Sequence, residues 1–175
     1  MEHRDITHMG QLYSLSHLAQ RSYSFDWTVD NVTTTYTAWV RYSNHCYSES
    51  VGIGVLTADD VVVSKNPLRT FCPIRFGETP RLVGLVADMM AKPTTRVART
   101  SKGNYSVYQL YVKDGEQNRY CVFFTVKPSL SQPGVGHEYF LDVHIESAYL
   151  KDQRVGTVSQ SPLGKIAHLA RMGAQ

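Results

Sequence analysis

The sequence contains no run of about 20 apolar residues, which is the length that a helix needs to cross a lipid bilayer. Its first ten residues, MEHRDITHMG, also lack the apolar stretch of a secretory signal peptide. We therefore expect neither membrane insertion nor export, and the sequence predicts a cytoplasmic protein.

Cysteine is scarce, with only Cys46, Cys72 and Cys121 in the chain. These three are odd in number, far apart and without the CxxC spacing of zinc ribbons and redox motifs. The pattern predicts reduced thiols and no disulfide framework. Because no metal-binding or cofactor-binding motif is present either, we expect no metal and no cofactor.

Charge is modest: 18 Lys and Arg against 15 Asp and Glu give a net charge of +3. The isoelectric point near 8.7 lies below the value of about 9 that often marks a nucleic-acid-binding domain, so charge alone does not specify such a partner. No repeat, low-complexity tract or linker divides the 175 residues, of which 42% are hydrophobic. The sequence predicts a single domain, residues 1–175.

The first part of the chain, residues 1–30, is predicted to be helical or irregular. A short helix over 11–21 is indicated by apolar residues near helical spacing. Aromatic and β-branched residues that alternate over 35–42 predict a strand, which a turn at Asp30 and Asn31 precedes. The residues that indicate the helix are Leu12, Leu15, Leu18 and Ala19.

The clearest helix signal begins at Thr79, a capping residue followed by Pro80 at the first helical position. The C-terminal tail, 153–175, repeats this pattern with Ser161 before Pro162, which predicts a last, basic helix. The first of these helices carries one apolar stripe that we expect to pack on a sheet. Its members are Leu82, Val83, Val86, Met89 and Met90.

Four strand-like runs follow Pro93: TTRVART, NYSVYQLYV, RYCVFFTV and EYFLDVHIESAYL. The connections SKGN, KDGEQN and KPSLSQPGVGH contain the Gly or Pro that turns require. Consecutive strands without crossover helices pair antiparallel. The predicted fold is therefore α+β, an antiparallel meander packed on one face by one to three helices.

The last of these strands carries an acidic or histidine side chain at every second position from 142 to 146. Phe140, Asp142, His144 and Glu146 should share one face, because side chains alternate along a strand. They form either an acid/base site, in which the carboxylates raise the pKa of His144, or a solvated face without a chemical role.

Two further segments carry candidate groups. His45 and Cys46 are adjacent, so on a strand they would point to opposite faces, which favours a base at His45 and a buried Cys46 over a nucleophile. Arg75 precedes the predicted helix at Thr79, where a guanidinium and a helix N-terminus suit an anion. The alternatives are a hydrogen-bonded histidine and a surface salt bridge.

Basic residues gather in the meander, with Tyr105, Tyr108 and Tyr111 between them. Tyrosine stacks on bases and Lys or Arg neutralises phosphates, which makes single-stranded RNA a candidate partner. Half-buried packing is the other interpretation of tyrosines at strand spacing.

Over residues 75–152, one helix followed by a meander with scattered His, Arg, Tyr and Ser resembles the small metal-independent endoribonucleases of the barnase, colicin and RelE type. The segments YCVFFTV and YFLDVHIESAYL are also similar to short proteins of unknown role from prophages and plasmids. These resemblances imply an RNA-directed, toxin-like protein of a mobile element.

Metal-independent RNA cleavage needs a base for the 2′-hydroxyl, a cation for the phosphorane and an acid for the leaving oxygen. The residues available are His144 or His45 as the base, Arg75 as the cation, and Glu146 or Tyr149 as the acid, while Ser147 can bond phosphate. The alternative is a noncatalytic binder of a host protein, such as a phage-encoded inhibitor of a defence or regulatory protein, which would use the same sheet. The sequence leaves the oligomeric state open.

Overall fold

The computed structural model describes residues 3–51, 56–57, 59–113, 116–129, 138–151 and 157–173. Residues 52 and 54, residues 114–115 of the predicted turn and residues 130–137 of the predicted connection lie outside the described residues, as do the side chains of Tyr108 and Tyr111. The described strands are β1 (Ile6–His8), β2 (Gln11–Tyr13), β3 (Arg21–Val29), β4 (Val32–Tyr42), β5 (Ser48–Ser50), β6 (Val62–Lys65), β7 (Leu68–Phe71), β8 (Arg96–Thr100), β9 (Tyr105–Lys113), β10 (Glu116–Pro128), β11 (Glu138–Lys151) and β12 (Thr157–Pro162). The α-helices are α1 (Pro73–Gly77), α2 (Thr79–Ala91) and α3 (Leu163–Arg171).

The α+β prediction is confirmed. Seven strands form the main sheet in the order β12-β8-β9-β10-β11-β4-β3, and β8 to β11 are the predicted antiparallel meander. One pairing differs from the all-antiparallel expectation, because β11 runs parallel to β4, with Leu141 beside Ala38 and Val143 beside Val40. The long stretch of chain between β4 and β11 makes this parallel pairing sterically accessible.

Helices α2 and α3 cover one face of the main sheet, as predicted. Leu82, Val86 and Met90 of α2 are buried in the same apolar cluster as Leu141 and Val143 of β11. The elements that α2 contacts include β3, and α3 packs on β10 and β3. The opposite face of the sheet carries the polar positions of β3, β4 and β11, and we call it the open face.

The predicted N-terminal helix is wrong. Residues 6–13 form the β1–β2 hairpin, which turns at Met9 and Gly10 with positive φ, and only Ser16–Leu18 forms a single 3₁₀ turn. Leu15 and Leu18 are buried, whereas Leu12 is exposed. Leu15 and Leu18, three residues apart, therefore pack a single short turn against the core and do not form the apolar face of a longer helix.

Both predicted capping residues are also wrong, although the two helices exist. Thr79 is the first residue of α2, and its hydroxyl donates to the carbonyl of Phe76 at 2.6 Å. Ser161 and Pro162 belong to β12, which extends the sheet beyond β8, so the tail is partly strand. The residue that precedes each helix is instead the last residue of the element before it or its C-cap: Glu78 follows α1, and Pro162 ends β12.

A second, three-stranded sheet in the order β5-β7-β6 precedes α1. The N–H of Cys72, which precedes α1, donates to the carbonyl of Tyr47 at 3.0 Å, and α1 lies next to the main sheet, because its Arg75 lies over the ring of Tyr149 in β11. No described helix is both long and apolar enough to cross a membrane.

Candidate active site at the end of strand β4

The alternation predicted for β11 is present up to residue 145. Leu141, Val143 and Ile145 are buried toward the helices, while His144 is exposed on the open face. Thr125 of β10 and Arg41 of β4 are the neighbours of His144 across the two strand pairs. His144 therefore lies beside a cation that the sequence could not place, because the parallel pairing was not predicted.

A β-bulge then changes the side-chain pattern. Phe124 pairs with Ile145 and Phe123 with Ser147, so that Glu146 is the extra residue. Alternate positions of β10 face the same way, and the partners of His144, Ser147 and Tyr149 are three such positions. The bulge therefore returns Ser147 and Tyr149 to the face of His144, where uninterrupted alternation would have separated them.

His45 is carried to β11 by a short 3₁₀ helix, Asn44–Cys46. Strand β4 ends at Tyr42, opposite Ile145, whereas β11 continues to Lys151 and thus leaves one edge free. The Ile145 carbonyl accepts from the Ser43 N–H at 2.9 Å and from the Cys46 thiol at 3.9 Å. These two bonds hold the 3₁₀ helix against the strand segment between His144 and Glu146.

Arg75 closes the group from α1. Its Nη1 donates to the carbonyl oxygens of His45 at 3.2 Å and Ser48 at 2.9 Å, and its guanidinium carbon lies 5.3 Å from the centre of the Tyr149 ring. The alternative of a salt bridge is not found for Arg75 among the described residues, because its guanidinium contacts carbonyl oxygens, and the predicted anion beside it stays a prediction. Arg75 thus connects the backbone of His45 to the ring of Tyr149.

Burial and nearby charges lower the pKa of His45. Desolvation lowers the pKa of His45, and Arg69, Arg75 and His144 lower it further, while Glu146 acts in the opposite direction. A neutral imidazole at neutral pH follows.

The expected rise in the pKa of His144 is wrong. Desolvation and the adjacent Arg41 lower this pKa, and the opposing effect of Glu146 is smaller. Glu146 itself accepts a hydrogen bond at 2.6 Å from the side-chain nitrogen of Asn104. The carboxylate is therefore held by the turn before β9.

Arg69 and Asn104 are site residues that the sequence analysis missed. Arg69 is 5% exposed, and its guanidinium donates to the Ser48 hydroxyl at 2.8 Å, the Ser48 carbonyl at 2.6 Å and the Ser50 hydroxyl at 3.0 Å. The burial of Arg69 could not be predicted from the run LRTF, because its hydrogen-bond partners, Ser48 and Ser50, belong to another strand.

Cys46 is buried, as predicted, and burial raises its pKa to about 12. A thiol with this pKa is not a nucleophile at neutral pH. Among the described residues, no group of three or more His, Cys, Asp or Glu side chains is arranged to hold a metal ion.

Two clefts flank the group. One, of about 310 Å³, is lined by Arg41, Ser43, Asn44 and His144. The other, of about 250 Å³, lies beside Arg75 and Tyr149, and Tyr120 and Leu150 add apolar surface. His45 itself lines neither cleft, although its neighbour Asn44 lines the first and Arg75, which bonds the His45 carbonyl, lines the second.

The fold and this site define an α+β protein with histidine, arginine, glutamate and tyrosine side chains gathered at a sheet edge. The model of the YjaZ family matches residues 5–171, nearly the whole chain, and the protein belongs to that family. No curated protein and no solved structure matches the chain.

Proposed function

We propose that the protein is a small endoribonuclease that cleaves single-stranded RNA without a metal ion. The observation that supports this proposal is the attachment of the His45 segment to Ile145, together with the hydrogen bond from Arg75, which also lies over the Tyr149 ring, to the His45 carbonyl. Base, cation and acid are the three groups that such cleavage requires.

In the proposed reaction His45 takes the proton of the RNA 2′-hydroxyl. The 2′-oxygen then attacks the adjacent phosphorus, and the bond from phosphorus to the 5′-oxygen breaks. Tyr149 protonates that leaving oxygen, while Arg75 stabilises the charge on the phosphorane. Glu146 supports the imidazolium that forms, because its charge favours protonated His45. The products are a 2′,3′-cyclic phosphate and a free 5′-hydroxyl.

The open face supplies a track for the RNA strand. Trp39 and Phe140 are half-buried there and can stack on bases, and the exposed Arg41 and Lys127 can neutralise phosphates. Arg41 and His144 line the 310 Å³ cleft next to the reacting groups, where they would hold the phosphate that follows.

The test compares two tyrosines that each lie under an arginine. Tyr149 is under Arg75, whereas Tyr139 lies on the helix-covered face with the Arg171 guanidinium 3.9 Å from its ring centre. We expect the parent and Tyr139→Phe to cut an RNA oligonucleotide and Tyr149→Phe to cut it about 100-fold more slowly, the usual contribution of a general acid. Equal rates in the two variants would remove Tyr149 from the mechanism.

The substrate itself provides the second control. A strand with one 2′-deoxy nucleotide should be uncut at that linkage, because no nucleophile is present. Products that end in a cyclic phosphate, identified by mass spectrometry, support the proposal. A 3′-hydroxyl end or cleavage of the deoxy linkage would contradict it. Expression in a bacterial host should also slow growth, as a toxin-like protein of a mobile element would.

A noncatalytic protein binder is the second candidate, which exposed apolar side chains favour. Met9 is 80% exposed and Leu12 65% exposed on the β1–β2 hairpin, and Ile74 is 78% exposed on α1. Replacing Met9 and Leu12 by Ser should abolish capture of one host protein from a lysate and leave the fold intact. If RNA cleavage is absent and this capture is present, the binder replaces the nuclease.

A further inference from the structure

Strand β3 is one edge of the main sheet. It pairs with β4 from Arg21–Val40 to Val29–Val32 through nine consecutive register positions without a bulge. Edge strands are usually protected from further pairing by lysine, proline or bulges. The sequence of β3, RSYSFDWTV, contains no lysine and no proline.

The residues of β3 are arranged almost symmetrically around Phe25. Tyr23 and Trp27 are both aromatic, and Ser22 and Thr28 both carry a hydroxyl, whereas Ser24 has Asp26 as its counterpart and Arg21 has Val29. An antiparallel partner with the same sequence would therefore place aromatic opposite aromatic, hydroxyl opposite hydroxyl, and the Ser24 hydroxyl opposite the Asp26 carboxylate.

We propose that two copies of this chain associate through β3, antiparallel, with Phe25 opposite Phe25 of the second copy. On the open face, Ser24 of each copy then lies opposite Asp26 of the other. Asp26 uses its Oδ1 to accept from Thr35 at 2.7 Å, and its carboxylate also faces the partner's Ser24 hydroxyl. On the helix face, Tyr23 lies opposite the partner's Trp27.

The ends of the strand complement each other in charge. Arg21 begins β3, and the exposed Asp30 follows its last residue. Antiparallel pairing brings Arg21 of one copy near Asp30 of the other, at both ends. No like charges face each other. Tyr23 and Trp27 are half-buried in the single chain, so the pairing would remove further aromatic surface from water.

A two-fold axis perpendicular to the sheet joins the two main sheets into one and leaves both open faces on the same side. This surface is independent of the proposed nuclease activity, because β4 separates β3 from β11 and the residues of β3 lie outside the group around His45.

The test uses two substitutions at one position, Ser24→Asp and Ser24→Lys. Both remove the same hydrogen bond, from Ser24 Oγ to Thr37 Oγ1 at 2.9 Å, and both add one charge to the edge. Ser24→Asp places a carboxylate opposite the partner's Asp26 twice per dimer and should weaken the dimer about tenfold. Ser24→Lys should strengthen it by a similar factor.

Sedimentation of the full chain measures both effects, and thermal unfolding checks that each variant folds. A parent that stays monomeric up to about 100 µM would overturn the proposal, because a Kd above that concentration means an association too weak for a specific dimer. A weaker dimer in both variants would also overturn it, because any added charge would then disturb the contact without regard to Asp26.

Discussion

The contact between α3 and β3 can be tested at Gly164, the second residue of α3. A Cβ atom placed on Gly164 would lie 2.1 Å from Cε3 and 2.2 Å from Cδ2 of Trp27. Both distances are far below van der Waals contact, so the indole or the helix must move. The Gly164 N–H also donates to the carbonyl of Pro93 at 2.8 Å, which opposes movement of the helix.

Gly164→Ala should therefore lower the free energy of unfolding. Overpacking of a well-filled contact costs about 1–3 kcal/mol, and the better helix propensity of alanine offsets at most about 1 kcal/mol. Gly84→Ala in α2 is the matched control, because a Cβ there meets nothing within 4 Å. It should stabilise the protein by up to about 1 kcal/mol.

Urea unfolding of the parent and the two variants measures these differences. We expect the Gly164→Ala midpoint to fall and the Gly84→Ala midpoint to rise, with equal slopes. A Gly164→Ala protein as stable as Gly84→Ala would refute the close packing of α3 on Trp27.

Three other predictions concern the core, the small sheet and the histidines. Val86→Asp should lower the free energy of unfolding by about 3–5 kcal/mol in urea unfolding, because Val86 is 0% exposed and the new charge has no partner there. Val83→Asp, on the half-buried side of α2, should lower it less. Equal decreases in the two variants would contradict the orientation of the helix. Arg69→Lys should destabilise the protein by about 1–3 kcal/mol, because one ammonium group cannot reproduce the three bonds to Ser48 and Ser50, and an unchanged melting temperature would contradict this. His3, His17, His45 and His144 all have a pKa below 6.5, the ordinary value, in the folded state. The unfolded chain then binds more protons below pH 6.5, so the free energy of unfolding should decrease as the pH falls from 7 to 5, and each histidine should titrate below 6.5 by NMR; an increase in stability over this range would contradict these shifts.

The main elements could be predicted because they follow from local patterns. Four members of the predicted α2 stripe, Leu82, Val86, Met89 and Met90, are buried and Val83 is half-buried, and the β11 segment up to Ile145 buries the side chains that its alternation indicates. The same reasoning failed at 11–21, where Leu15 and Leu18 are buried by tertiary contacts and Met9 and Gly10 turn the chain into a hairpin. Periodicity there indicated two residues that are buried, Leu15 and Leu18, but also Leu12, which is exposed, because tertiary contacts decide which element forms.

The candidate site could be predicted as a set of residue types but not as an arrangement. His45, Arg75 and Tyr149 were expected candidates, yet their meeting depends on the early end of β4 and on the Ile145 carbonyl bonds. The bulge at Glu146 is a one-residue change of register that no local pattern indicates. The acid/base interpretation predicted a raised pKa for His144, but burial and the charge of Arg41 lower it. Arg41 could not be placed beside His144 from the sequence, because it belongs to a strand distant in sequence.

RNA cleavage by His45→Gln, compared with the parent, tests the proposed nuclease most directly. His168→Gln is the control, because the His168 ring contacts the Tyr36 hydroxyl at 3.3 Å on the helix-covered side. With each protein purified identically and EDTA present, the parent and His168→Gln should cut the oligonucleotide, and His45→Gln should be slower by about 100-fold or more. Intact RNA with the parent protein, or equal cleavage by all three proteins, would contradict the assignment of His45 as the base.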